Sequence, residues 1–183
     1  MSDRFEYVIE PMPGAVKPLH SGMAIAMFVK GEKQGEFPSG VPGIVTDKGK
    51  GMNLAYVETA CITPRDIVTG QSSGKRVHQG VTVLGPNNKQ VPRLWQALYT
   101  NETLSTVDIH FWGVDHLRAD KGSGQIIHLY SIKMVKAHIH TMDMLTDLGD
   151  GNLFFRINFS FEGITHVHEP GKTEGQDNWI AER

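Results

Sequence analysis

Nine of the 183 residues are histidines, and four of these fall in two i, i+2 pairs, His138-Ile139-His140 and His166-Val167-His168. On a β-strand that spacing turns both imidazoles of a pair to the same face. Two such pairs on neighbouring strands would offer three or four nitrogen ligands, a set suited to zinc or iron. The chemistry available to them would be metal-assisted catalysis, with His138, His140, His166 and His168 as first ligands.

That reading amounts to a cupin-like histidine-metal enzyme, and the sequence around the pairs works against it. After His140 the chain runs Thr-Met-Asp-Met-Leu-Thr-Asp, with no glutamate at the spacing a cupin uses and none of its glycine and proline frame. A metal centre also requires ligands that converge and outer groups that orient them, and spacing alone supplies neither. The expectation is no bound metal and no cofactor. Other catalytic signatures are missing as well. Gly70-Gln-Ser-Ser-Gly74 reads as a turn-rich loop in an all-β chain rather than the strand-to-helix elbow of a Gly-x-Ser-x-Gly hydrolase, and Walker A, Gly-x-Gly-x-x-Gly, EF-hand and His-Glu-x-x-His patterns are absent. Cys61, the one cysteine, lies in a run of β-formers, where a thiol is expected to be a small inert core residue. Lys75, Arg76, His78, Lys89 and Arg93 form a modest basic cluster that reads as a solvated face. The chain is not expected to be an enzyme.

The elements that would hold these residues are mostly strands. The first apolar β-like segment covers 24–30. Leu54 to Thr63 is a β-forming run that stops at Pro64, and Lys75 to Leu84 resumes the signal with Val77, Val81 and Val83. In Leu104 to Val114, Val107, Ile109 and Phe111 share a face. Alternation is cleanest where Leu153, Phe155, Ile157, Phe159 and Phe161 interleave with polar or solvent-facing neighbours. One segment has helical spacing: Val91, Leu94, Trp95 and Leu98 fall at i, i+3, i+4 and i+7 with Pro92 in the first turn, which predicts a helix over about 91–101 that plugs the core. The expected fold is mainly β, a compact barrel of two packed antiparallel sheets with about seven strands and one helix.

Two regions stand apart. Gln125 to His140 carries apolar residues on both faces, Ile127, Leu129, Val135, Ala137 and Ile139 on one and Ile126, Tyr130, Ile132 and Met134 on the other. One face can line the core; the second requires cover, so Ile126, Tyr130, Ile132 and Met134 are the candidates for a subunit interface. The segment between the second and third long strands, Pro64, Arg65, Asp66, Gly70, Gln71, Ser72, Ser73 and Gly74 among its residues, is too polar for burial and long for a hairpin turn, so it is expected to project.

Composition sets the outer bounds. Apolar residues make up 39% and charged residues 21%, within the range of a folded globular chain, and the length fits one core. Residues 1–22, with Pro11, Pro13 and Pro18, read as an irregular extension ahead of a domain over 23–183, and Met23 is a possible alternative start. A formal charge of −2 offers no general attraction for nucleic acid or anionic lipid. The longest strongly apolar run, Met23 to Val29, is too short to span a bilayer, and the first residues lack the pattern of a cleaved signal peptide.

The order of these elements resembles a known family. The strand Ala-Ile-Ala-Met-Phe-Val-Lys (24–30) leads into Gly31-Glu-Lys-Gln-Gly35-Glu36. Thr69-Gly-Gln-Ser-Ser-Gly-Lys-Arg-Val-His78 opens a strand, Val91-Pro-Arg-Leu-Trp-Gln-Ala-Leu98 and Asn101-Glu102 follow, and the chain closes near Asp177-Asn-Trp179. This resembles the haemolysin-coregulated protein (Hcp) family, the tail-tube subunit of type VI secretion systems, over about 23–179. The resemblance implies a homohexameric ring, rings stacked into a hollow tube that a contractile sheath expels, and effectors carried in the lumen. Sheath, spike protein and baseplate would be the partners, with assembly in the cytoplasm and export without a signal peptide. It also implies that the segment from Pro64 to Gly74 meets the next ring, with Arg65 and Asp66 in a charged contact that sets register.

Overall fold

A computed structural model describes residues 23–37, 45–46, 49–114, 126–146 and 152–179. The expectations for residues 1–22 lie outside them. In chain order the elements are β1 (Met23–Gly31), β2 (Gly35–Glu36), β3 (Val45–Thr46), β4 (Gly49–Lys50), β5 (Met52–Leu54), β6 (Tyr56–Ile62), β7 (Val77–Pro86), α1 (Val91–Tyr99), β8 (Leu104–Val114), β9 (Ile126–Thr146), β10 (Leu153–Ser160), β11 (Gly163–His168) and β12 (Thr173–Asn178). Among the described residues the β-rich fold with one helix is as the sequence predicts, and twelve strands rather than about seven arise there because several ladders are only two or three residues long.

Every pairing among the described residues is antiparallel, and the main sheet runs β2-β1-β8-β9-β10-β7-β6. β9 organises it. Its first part pairs with β8 on one side and β11 on the other, and its second part pairs with β10. The 21-residue strand therefore belongs to both halves of the rolled sheet. The barrel predicted from sequence is not a continuous closed ladder. β5 pairs with β1 and β6 with β7, so the chain passing from β5 to β6 bridges the two edges, helped by the Ala55 amide donating to the Leu84 carbonyl at 2.7 Å.

Inside lie Met27, Ile109, Met134, Phe155, Ile157 and Phe159, all fully buried, and each such side chain stabilises the fold by about 1.5–3 kcal/mol. α1 caps this core with Val91, Leu94 and Ala97, while Trp95 and Leu98 pack against it half-buried. The helix ends where Asn101 takes a left-handed φ of 48°, and the Asn101 and Glu102 amides donate back to Leu98 and Ala97, a C-terminal cap.

The two-faced pattern of Gln125 to His140 has a backbone cause. Lys136 also adopts a φ of 48°, and the strand turns over there. Ile132 and Met134 point inward before it; Ala137 and Ile139 point inward after it. The partner strand turns over at the same place, from Phe159 and Phe161 to Ile164, and the Lys136 ammonium pairs with the Glu162 carboxylate at 2.8 Å. A bulge at His140 then restores the first parity, so Met142 is buried. Both apolar sets thus send residues into one core, while Val135 stays outward.

Candidate functional site: the projecting loop, its base and the subunit surfaces

The segment Pro64–Gly74 is a projecting hairpin extension, exposed throughout except for half-buried Pro64. It continues the β6–β7 ladder outward: Arg65 bridges Ser72, the Ser73 amide donates to the Pro64 carbonyl at 3.0 Å, and the Asp66 amide donates to the Gln71 carbonyl at 2.8 Å. Gly70 closes the turn at φ +68°, a conformation L side chains rarely adopt. One Asp66 carboxylate oxygen accepts from the amides of Val68 and Thr69, at 3.0 and 2.7 Å, and from the Thr69 hydroxyl at 2.9 Å. Those donors, Thr69 first, hold the Asp66 carboxyl below its ordinary range. The Arg65 guanidinium donates to the Gly70 carbonyl at 3.1 Å. Both charged residues therefore shape the loop itself. What they present to the outside is Ile67 and Val68, 100% and 92% exposed.

At the loop's base the charges reach across the molecule instead. The Arg76 guanidinium grips the Asp177 carboxylate with two donors, and His78 Nε2 lies 2.8 Å from Oδ2, the oxygen that Arg76 Nε also addresses. His78 is buried, its ring 5.3 Å from Phe161 and 5.5 Å from Trp179. Arg76, foremost, and His78 hold the Asp177 carboxyl down at about 2. A second clamp joins other distant segments. The buried Glu102 carboxylate accepts from the Lys33 and Gln34 amides, both at 2.8 Å, and from the Gln34 side chain at 2.9 Å. Burial acts to raise its pKa, and these donors more than offset it, leaving the group lowered. The segments Gly31–Glu36 and Asn101-Glu102, and likewise Lys75–His78 and Asp177–Trp179, are thus paired in space, and each pairing is a fold clamp.

The four candidate histidine ligands do not converge. His138 sits across from Ser160, whereas His166 and His168 sit across from Ile132 and Tyr130. Six residues of β9 separate the register positions of His138 and His166, about 20 Å of strand. Among the described residues no three His, Cys, Asp or Glu side chains are grouped to hold a metal. The metal reading is corrected accordingly. What the structure does gather, unforeseen from spacing, is His110 Nδ1 at 2.9 Å from His128 Nε2, with Trp112 stacked on both rings. Cross-strand register on β8 and β9 makes that contact, which no i, i+2 count could find.

Cys61 is exposed on β6 rather than in the core, because β6 is an edge strand whose residues mostly face solvent. With His78 and Asp177 it superficially forms a nucleophile-base-acid row. The geometry is wrong for a relay, which needs the two partners on different ring nitrogens: Cys61 Sγ at 3.9 Å and Asp177 at 2.8 Å both address His78 Nε2.

The expected interface residues are also relocated. Ile132 and Met134 are 3% and 0% exposed, inside the subunit. Tyr130 is half-buried against the core, and of the Ile126 side chain the structure describes nothing. The outward positions on this part of β9 include Lys133 and Val135, the latter 47% exposed.

The sequence model of the family described as "Type VI secretion system effector, Hcp" matches residues 35–168. A "Major exported protein" of Pseudomonas aeruginosa is 32% identical over 124 residues, which cover 64% of this chain and 69% of that one. Among solved structures, an Hcp protein superposes with a TM-score of 0.75 at 22% identity, covering 87% of this chain and 99% of the other. The secreted protein Hcp3 of Pseudomonas aeruginosa gives 0.68 at 22% identity over the same shares. At these identities the solved structures speak for the fold.

Proposed function

We infer what this chain does from one premise: it belongs to the Hcp family of type VI secretion system proteins. It is a structural tube subunit of that system and not an enzyme, and it is a type VI-exported protein. The observation that carries the reading is the family match over 35–168, joined to the finding that the resembling segments meet as clamps. Residues that keep Arg76 on Asp177 and Glu102 on the Lys33–Gln34 turn preserve a subunit's shape, which is what a repeating assembly requires.

The finer reading is a homohexameric ring, with rings stacked end to end through the segment Pro64–Gly74. A loop whose two charged side chains bond within it and whose two tip residues are apolar and exposed is built to be covered by something. Lateral ring contacts belong to outward positions such as Val135, since Ile132 and Met134 are committed to the core. The family supports assembly in the cytoplasm, export without a signal peptide, the sheath, spike and baseplate as partners, and effectors in the lumen. Native mass spectrometry tests the ring: a six-chain species at micromolar concentration is expected, and monomer alone across that range would refute it. Negative-stain images of the same sample test stacking.

A further inference from the structure

α1 and the end of β9 enclose an open groove of about 740 Å³, lined by Lys89, Val91, Pro92, Trp95, Tyr99 and Met144. Tyr99 is 73% exposed and Met144 43%, so apolar surface here faces solvent within one subunit. We propose that this groove receives the Ile67–Val68 tip of a second copy of the chain in the next ring. The proposal rests on the reading of Pro64–Gly74 as the stacking loop and names the surface that loop meets.

Three observations single out that occupant. Position comes first. The loop leaves the sheet at the start of β7, where Ile62 pairs with Val77, and the groove begins just after its other end, at Pro86. Met144 pairs with Phe155, which pairs with Gly85, so the β9 side of the groove sits at that same end. Tip and groove are separated by the ten residues of β7, about 30 Å of strand. Two complementary surfaces at opposite ends of one subunit make a head-to-tail contact, which repeats along an axis and closes no dimer. Second, chemistry matches: the tip is two aliphatic side chains, and beside Asn87, Asn88 and Lys89 the groove offers Pro92, Trp95, Tyr99 and Met144 for them to cover. Third, charge does not oppose the contact: Arg65 and Asp66 beside the tip are of opposite sign and bonded within the loop, and Lys89 lines the groove with no acidic residue.

Disulfide capture tests this on the full-length chain with Cys61→Ser as background, since Cys61 is exposed. Val68→Cys combined with Met144→Cys, oxidised with diamide at high protein concentration, is expected to give a ladder of dimers, trimers and longer chains on non-reducing gels. Each single variant should give dimers at most. Tyr99→Cys in place of Met144→Cys serves as a second position should the first unfold. A double variant with no ladder overturns the groove. The stacking loop itself is judged separately by Ile67→Ser with Val68→Ser: tubes lost there but no ladder refutes the groove alone, whereas tubes persisting refute the loop as well. Capture of Met144→Cys by a cysteine placed at Tyr7 instead of Val68 would assign the groove to residues 1–22 and also overturn the proposal.

Discussion

Two apolar pairs in this chain have opposite fates. Ile132 and Met134 stand in a strand with apolar residues on both faces, which makes them look like an interface; they are buried inside the subunit. Ile67 and Val68 stand in a loop of polar and turn-forming residues, which makes them look incidental, and they are almost wholly exposed. The difference lies in the backbone around each pair. Lys136 turns β9 over, so that Ile132 and Met134 before it and Ala137 and Ile139 after it enter one core, while Asp66 and Arg65 consume their hydrogen bonds within the loop and leave the two aliphatic side chains at the tip. Hydrophobicity says that a residue requires cover. Chain direction decides whether the cover is the subunit itself or a neighbour.

The largest expected effect comes from placing a charge on each side of β9. Met134→Lys would bury an ammonium group in an apolar core and should destabilise the fold by about 4 kcal/mol or more, enough to prevent accumulation of folded protein. Val135→Lys, one residue on and facing out, should change stability by no more than about 0.5 kcal/mol. Thermal or denaturant melts of the two variants decide it. Equal losses would mean that the inward and outward faces are misassigned. If Val135→Lys melts like the parent but yields no rings, the outward face of β9 is a lateral contact.

Next in size is the loop's base. Asp177→Ala removes the acceptor shared by Arg76 and His78 and should cost about 1–2 kcal/mol, because the pair is partly exposed and screened. That is a fall of a few degrees in the melting midpoint. The same carboxylate has a folded pKa near 2, below the ordinary value of 3.8. Its contribution is therefore complete above about pH 4 and declines as pH falls from there through 2. Parent stability should drop across that window, and the Asp177→Ala variant should drop less. Parallel declines in the two proteins would show that other carboxylates dominate acid unfolding.

The sequence made much of this legible and some of it not. The strand expected over 153–161 and the helix expected over about 91–101 follow from plain periodicity, and they appear at 153–160 and 91–99. The projecting loop was readable from its polarity and glycines. Parity on β9 was not, because a lysine carries no signal for a left-handed φ, and one such residue exchanges inward and outward positions for everything after it. On β7, Gly80 does the same at φ +83°: His78 is buried with Val81 and Val83, and Val77, in step with the valines by count, is exposed. The clamps were hidden for another reason. Arg76 and Asp177 lie 101 residues apart, and the sheet path from β7 through β10, β9 and β11 to β12 brings them together. The histidine pairs show the converse, a local spacing suited to a site that the register then disperses.

The smallest expected effect tests why the tip is apolar at all. If Asp66 acts only within the loop, Asp66→Ala should leave the melting midpoint of the subunit unchanged, since the carboxylate touches no other element. The Val68 and Thr69 amides, which donate to that carboxylate, should exchange faster with solvent deuterium, while the Ser73 amide, bonded to the Pro64 carbonyl, should exchange as before. Tubes should form more weakly, because Ile67 and Val68 would then have to be ordered at the moment of contact rather than beforehand. Arg65→Glu is the sharper companion. The guanidinium donates to Gly70 inside the loop, so charge reversal should disturb the turn by losing that bond. If instead Asp66→Ala stacks normally while Arg65→Glu abolishes tubes without altering amide exchange in the loop, charge across the ring junction sets the register and the apolar tip is secondary.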